Sequence, residues 1–322
     1  MRILVTGATS LLGRTVVEQL VARGDDVTVF QRHASGIDVD EVLGDIAHAD
    51  AIERAAAGVD GVVHLAARVG VAGVWKEFER TNIMGTTNVI TAARKAGASR
   101  FVHVSSPAVA HAGHSLVGAG ASPAKPTSAR GPYARSKAFA EHVALAANST
   151  DMAVVAVRPH LVWGPGDTQL VGRIVERARQ GRLAIVGTGA SLIDSTYIDN
   201  AADALVAALD RSHDIGGRAL VVSNGQPRPV RELINRIVLA AGLQPPRLRV
   251  PYRVARGGGV VLEKVWDRQG RTDDPPMTSF LAEQLGTAHW FDQRETRAAL
   301  AWTPAVTLEE GFARLAASFQ GS

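Results

Sequence analysis

One corner near the start of the chain constrains the fold more than anything else. The strand-like run Arg2-Ile-Leu-Val-Thr6 passes through Thr6-Gly-Ala-Thr-Ser-Leu-Leu-Gly13 into a helical periodicity carried by Leu12, Val16 and Leu20. Glycines at a strand-to-helix corner permit a tight turn, and the amides opening the helix then face outward, ready for an anion. Elsewhere a pair of glycines means little. Between the first strand and first helix of a β-α-β unit it marks a phosphate cradle. The alternation then continues. Val27–Phe30, Gly61–Leu65, Phe101–Val104 and Ala153–Val157 read as strands, and 11–23, 49–57, 81–96 and 133–147 as helices.

Each of these strands is apolar on both faces. That pattern predicts a parallel sheet covered by helices on both sides, an α/β, Rossmann-type, doubly wound architecture. The chain has 322 residues, enough for such a domain over 1–165 and a smaller, mainly helical substrate lobe over 166–322, with some later segments returning to the first. After about residue 165 the rhythm loosens. Pro227, Pro229, Pro245, Pro246 and Pro251 punctuate it, and Arg256-Gly-Gly-Gly259 reads as a further break. Helices are still expected at 199–209, 230–241 and 308–319.

With no cysteine, disulfides, thiolate catalysis and Cys-ligated zinc are excluded. The net charge is +4, from scattered basic residues without the focused stripe that nucleic acid requires. No apolar run reaches the length of a membrane span, and strand-like sequence from Arg2 leaves no room for a signal peptide. A cytoplasmic location is expected.

The phosphate loop proposes Gly7, Thr9, Ser10, Leu11, Leu12 and Gly13 as contacts to a pyrophosphate. Ser10 stands where such loops place a middle glycine. Its hydroxyl can hydrogen-bond a phosphate or crowd it, and binding is expected to survive because both flanking glycines are present. NAD-binding folds usually carry an acidic residue after the second strand to hold the ribose 2′-OH. Here Phe30 is followed by Gln31 and Arg32. No carboxylate stands there to repel a 2′-phosphate, and Arg32 can pair with one. NADP(H) is therefore expected over NAD(H), with Arg32 as a plain exposed residue the competing reading.

Tyr133 and Lys137 lie four apart in a predicted helix and so share a face. An ammonium beside a phenol favours its ionised form, which makes the pair a candidate acid/base.

Taken together, Thr6-Gly7…Gly13, Gly44-Asp45-Ile46, His64-Leu65-Ala66-Ala67, Asn82-Ile-Met-Gly-Thr86, Val104-Ser-Ser106, Tyr133…Lys137 and Arg158-Pro159 occur in the order of an extended short-chain dehydrogenase/reductase, which the chain resembles over nearly its whole length. The resemblance implies roles for further residues. Asp45, with Ile46, is similar to the segment that contacts the adenine. Leu65, Ala66 and Ala67 resemble the backbone lining the dinucleotide, and Asn82 the asparagine near the proton relay. Ser106 matches the serine that polarises the substrate oxygen, while Ser105 reads as structural. Pro159 and Val162 resemble the wall of the nicotinamide pocket.

Arg158-Pro-His-Leu-Val-Trp-Gly-Pro-Gly-Asp167, Asp194…Asp203 and Ala288-His-Trp-Phe-Asp292 resemble the 3β-hydroxysteroid dehydrogenase/isomerase-like branch, which includes bacterial 2-alkyl-3-oxoalkanoate reductases. That implies a hydrophobic ketone or alcohol, a β-keto acid or a 3β-hydroxysteroid-like molecule. A sugar-nucleotide epimerase or dehydratase with tightly held NAD, and a non-catalytic NADP sensor, are the alternatives. His160, Trp163, Tyr197 and Trp290 read as packing residues before pocket residues. The stretch 108–131 is a candidate lid, and its His111 and His114 lack carboxylate companions, so no metal site is expected. Residues 254–267 read as a cover over the substrate, with contact to a membrane or partner the competing reading. The resemblance implies a homodimer through the helices holding Asn82 and Tyr133, whose alanine-rich outer faces are compatible with close packing.

Overall fold

The computed structural model describes residues 1–70, 73–110, 115–269, 271 and 275–321. His111 and His114 lie outside the described residues.

Seven strands form one parallel sheet: β1 (Arg2–Thr6), β2 (Asp26–Gln31), β3 (Asp40–Leu43), β4 (Gly61–His64), β5 (Arg100–Val104), β6 (Ala153–Pro159) and β7 (Ala219–Val222). Their spatial order is β7-β6-β5-β4-β1-β2-β3. The chain thus works outward from β1 on one side and from β4 on the other. Their junction is the topological switch point, where open α/β sheets bind ligands beyond the carboxyl ends of the strands.

The two-residue period of a strand divides the core. Ile3 and Val5 of β1 face one layer, where Val16 and Leu20 of α1 (Leu11–Ala22) meet Leu205 and Leu209 of α5 (Ile198–Asp210). Leu4 faces the other, packed with Ile52 of α2 (Ala49–Ala55), Val89 and Ala93 of α3 (Gly85–Lys95), and Phe101. Each such aliphatic side chain contributes roughly 1.5–3 kcal/mol on full burial. A sixteen-residue helix, α4 (Gly131–Ala146), lies against β6 and carries Tyr133 and Lys137.

The expected division of the chain is crossed in both directions. Helix α5 and strand β7 return to the first layer, whereas residues 116–119 leave it to pair with 289–291 in a four-stranded sheet completed by 192–193 and 228–229. The lobe has its own core, in which Trp163 stacks on Phe312 of α9 (Leu308–Gln320) at 4.4 Å and donates its indole N–H to Ser195 Oγ at 3.0 Å. Helix α6 (Val230–Ala240) supplies Leu233 and Ile237 to the same core.

Two expectations need correction. The run Arg256-Gly-Gly-Gly259 is no break: it lies inside α7 (Tyr252–Arg268). A Cβ on Gly259 would stand 2.5 Å from Ser279 N, so glycine lets α7 meet the start of α8 (Ser279–Gly286) backbone to backbone. Tertiary contact overrides the poor helix propensity of glycine. The predicted 81–96 helix is also not uniform. Residues Glu79–Met84 form a π-helical turn, and the α-helix starts at Gly85. Asn82 sits inside that turn, where extra residues per turn commonly mark a functional site.

Candidate active site

The phosphate loop leaves β1 at Gly7, whose φ is +83°. A Cβ there would lie 2.8 Å from the amide nitrogen of Ala66, so only glycine brings the two loops of the switch point together. Thr6 Oγ1 accepts from the Ala66 amide at 3.2 Å and ties them further. Gly13 is equally constrained, since a Cβ would meet the Gly7 carbonyl at 2.4 Å.

Ser10 resolves differently from either expectation. It is the N-cap of α1, accepting from Gly13 N at 3.0 Å and donating to the Gly7 carbonyl at 2.9 Å. Its hydroxyl therefore replaces what a middle glycine would leave open by holding the loop in shape. Thr9 and Ser10 are exposed beside it, and Leu11 and Leu12 are half-buried. A glycine-walled loop opening a twelve-residue helix at the switch point fits a dinucleotide pyrophosphate.

The ribose corner carries a correction. The sequence has no carboxylate directly after β2, but the fold brings one from β3. Gln31 is buried and its amide donates to Glu41, which also accepts from Ser35 N at 2.8 Å. Backbone donation from Ser35 leads the effects that hold the Glu41 carboxyl below its ordinary range. Arg32 is exposed and makes no ion pair among the described residues, whereas Arg14 is committed to the Ser35 carbonyl at 2.5 Å. Asp45 accepts from Ala47 N and from Arg80, both at 2.9 Å, and the Ile46 carbonyl accepts from Asn88 at 2.9 Å. The carboxyl ends of β2 and β3 thus hold the residues expected at the adenosine end.

Ser106, Tyr133 and Lys137 converge where β5 ends and α4 begins. Gly131, with φ +77°, turns the chain into the helix just ahead of Pro132. Tyr133 keeps an edge open to a cavity, yet its surroundings are dense enough that burial raises the phenol's pKa, against the lowering effect of a hydrogen bond with Ser106. Lys137 is buried and donates to the Val104 carbonyl at 2.6 Å. Burial lowers its pKa from 10.5 to about 8, Glu141 opposing. The expectation that Lys137 depresses the Tyr133 pKa is not met in the protein alone. Desolvation dominates, and the ammonium is turned to a backbone carbonyl.

Asn82 does not bond to either side chain. Its amide accepts from Arg68 N at 2.7 Å and donates to the Arg68 carbonyl at 3.0 Å and to Ser136 Oγ at 2.8 Å. It locks the loop after β4 to the catalytic helix, a positioning place. Below lies a buried imidazole pair. His64 bonds Thr6 Oγ1 at 2.7 Å and Thr86 Oγ1 at 3.0 Å, with His103 at 5.6 Å. Burial, then Lys137, holds His64 at about 3 and His103 well below its usual value, so both are neutral. Ser105 donates its amide to the Val157 carbonyl at 2.7 Å. Pro159 ends β6, and Leu161, at φ 42°, turns the chain between it and Val162.

The cavity at Tyr133 encloses about 360 Å³ and is walled by Pro132, Trp266, Pro275 and Phe280, with Arg130 and Glu263 as its charged members. Sequence reasoning placed a cover at 254–267, which supplies Glu263 and Trp266 from α7, but did not find Arg130 and Pro132 at the start of α4, Pro275, or Phe280 of α8. Trp163 and Tyr197 are core residues, and His160 packs on Phe291 at 5.0 Å. Trp290 lies over Gly118. None of the four lines the cavity. Of the described residues in 108–131, only Arg130 and Gly131 reach it.

The pattern of the NAD dependent epimerase/dehydratase family matches residues 3–223. This chain belongs to that family. It is an NAD(P)-dependent oxidoreductase of the extended short-chain dehydrogenase/reductase type, acting on a ketone or secondary alcohol. Among curated relatives, it is 42% identical to the 2-alkyl-3-oxoalkanoate reductase of Stenotrophomonas maltophilia (strain K279a), covering 99% of both chains. It is 29% identical to the sterol-4-alpha-carboxylate 3-dehydrogenase, decarboxylating, of Homo sapiens, covering 99% of this chain and 88% of that one. Among solved structures it is similar to MoeE5 in complex with UDP-glucose and NAD, with a TM-score of 0.77 at 24% identity over 100% of this chain and 99% of that one. At that identity the likeness speaks for the fold.

Proposed function

We propose that this family member reduces the ketone of a large apolar 3-oxo acid, such as a 2-alkyl-3-oxoalkanoate, with NADPH as donor. The observation that carries the reading is the wall of Trp266, Phe280, Pro132 and Pro275 against the edge of Tyr133. Such a cavity rewards apolar surface near the reacting centre. The relative at 42% identity is named for a 3-oxo acid. The human relative's name puts a carboxylate next to the carbon oxidised.

The nicotinamide cofactor supplies the hydride when bound. Tyr133, kept as a neutral phenol by burial, gives its proton to the ketone oxygen as charge gathers there, a contribution typically of about 10² to 10⁴ in rate. Ser106 donates to the same oxygen. Lys137 would hold the cofactor ribose and carries its charge below about pH 8. Arg32 would pair with a 2′-phosphate, while Glu41 stays occupied by Gln31 and Ser35.

The reading includes a homodimer through the exposed faces of α3 and α4, with exposed Met84 in the turn before α3 and Arg135 on α4, and a cytoplasmic location. No helix among the described residues is long and apolar enough to cross a membrane. The substrate reading is tested by following NADPH and NADH oxidation over 2-alkyl-3-oxo acids, 3-oxosteroids and aryl ketones. Preference for the oxo acids with NADPH supports it. NAD retained through purification, with no turnover of added cofactor, would favour a sugar-nucleotide epimerase instead. Light scattering at micromolar concentration reads the dimer, and a monomer mass removes that part.

A further inference from the structure

A second cavity adjoins the one at Tyr133, sharing Arg130 as a lining residue. It encloses about 470 Å³ and is lined by Arg130, Tyr252, Arg253, Arg256, Gly257 and Glu283. Three guanidiniums thus face one carboxylate. Glu283 is almost wholly buried, and a single oxygen, Oε1, accepts from both Arg130 Nη1 at 2.5 Å and Arg256 Nε at 3.1 Å. Its other oxygen has no hydrogen-bond partner among the described residues.

This geometry differs from that of an ordinary salt bridge. A carboxylate pairing for stability takes one guanidinium through two oxygens. Here one buried oxygen fixes two arginines, each through one nitrogen, and no other hydrogen bond of either guanidinium is found among the described residues. Their side chains stay 41% and 48% exposed. Arg253 lines the same space with no ion pair among the described residues. The assembly is net cationic and held in place from beneath. It begins three residues before the phenol that donates the proton. The other charged group of the Tyr133 cavity, Glu263, is occupied by the Ser279 amide at 2.8 Å and hydroxyl at 3.0 Å. The cavity is therefore apolar in its body, anionic at one side and cationic at Arg130.

We infer that Arg130, supported by Arg256 and Arg253, binds the carboxylate of the substrate and so orients its 3-oxo group toward Tyr133. This rests on the 3-oxo acid reading and deepens it. A carboxylate and a 3-oxo group are separated by one carbon, so an arginine on the same helical start as Tyr133 can serve the first while the tyrosine serves the second. Glu283 is a positioning residue that sets the two guanidiniums.

The test runs in the oxidative direction, where the substrate is chemically stable. A 2-alkyl-3-hydroxyalkanoate is compared with the secondary alcohol of the same skeleton lacking the carboxyl group, using wild type, Arg130→Gln and Glu283→Gln. Arg130→Gln should raise KM for the hydroxy acid by on the order of tenfold to a hundredfold, the worth of a charged hydrogen bond, with KM for the alcohol within about twofold. Both substitutions break the same buried ion pair, so a merely structural role predicts losses on the acid and the alcohol alike. The anion site predicts losses confined to the hydroxy acid, larger for Arg130→Gln, which removes the binding charge, than for Glu283→Gln, which only frees the guanidinium it positions. Equal losses on both substrates in both variants overturn the inference while leaving the reductase reading intact. Tryptophan fluorescence titration with dodecanoate and dodecanol separates the two in the other direction. If wild type oxidises neither substrate yet binds dodecanoate at least tenfold tighter than dodecanol, with the preference lost in Arg130→Gln, the anion site stands and the 3-oxo acid reading falls. Equal binding of the two probes overturns the anion site.

Discussion

Lys137 sits in the protein at a cost that its replacement should reveal. Its ammonium is buried against the Val104 carbonyl and two neutral imidazoles, and its pKa falls from 10.5 to about 8. That fall corresponds to roughly 3 kcal/mol spent, at pH 7, on keeping the group charged in the folded state. Lys137→Met keeps the length and removes the charge. It also forfeits the bond to Val104, worth about 1 kcal/mol for a neutral partner. Without cofactor, the variant should therefore be more stable than wild type by about 2 kcal/mol at pH 7, a rise of a few °C in Tm. Between about pH 8 and 10.5 the unfolded lysine binds a proton that the folded one has released, so wild-type stability rises with pH across that window. Above it the charge cost is gone and only the lost bond remains. The two stability curves should cross, wild type being the more stable at pH 11. Urea unfolding at pH 7, 9 and 11 measures this, and common alkaline effects cancel in the difference. A variant less stable at pH 7, with a difference that does not change with pH, would refute the reasoning. Activity should fall in the same variant, because the stabilised protein lacks the group proposed to hold the ribose.

Three further pairs of substitutions probe the frame around the site. Ser10→Ala should lose the N-cap of α1 and about 1 kcal/mol of stability, whereas Ser10→Gly should lose only a few tenths; if both variants lose cofactor affinity to a similar extent despite their different stabilities, the hydroxyl touches phosphate after all. Arg32→Ala should reduce kcat/KM with NADPH by roughly tenfold and leave NADH nearly untouched, while Glu41→Gln should leave NADPH unharmed; the reverse pattern would make Glu41 the ribose ligand. Gly259→Ala places a methyl 2.5 Å from Ser279 N and should destabilise the α7–α8 cover by more than about 1 kcal/mol, whereas Gly258→Ala enters open space and should stabilise by about 0.5–1 kcal/mol; equal effects would show that the helices do not meet there.

Local chemistry was legible in the sequence wherever it lay within one strand-turn-helix unit. The β1 corner, the apolar strands and the Tyr133–Lys137 face all depend on neighbours within a few residues, and each lies where its pattern put it. Contacts made across the fold were not legible. Glu41 reaches Gln31 only because β3 pairs with β2, and β3 is a four-residue edge strand without a fully buried residue to announce it. The run at 257–259 read as a break because the reason for Gly259, the backbone of Thr278 and Ser279, lies some twenty residues on. Arg130 carried no signal of its own beside Gly131 and Pro132. Its meaning comes from Glu283, which α8 delivers. The expected depression of the Tyr133 pKa failed for a related reason, since spacing shows which groups share a face but not which carbonyl captures the ammonium.

The central claim is that Tyr133 delivers a proton to a substrate oxygen in a working reductase. The direct measurement is cofactor oxidation at saturating NADPH and 2-alkyl-3-oxo acid by wild type and Tyr133→Phe, with cofactor binding checked by fluorescence titration. The account predicts that the variant binds NADPH as wild type does and loses about 10² to 10⁴ in kcat. A Tyr133→Phe protein that turned over within a fewfold of wild type would contradict it.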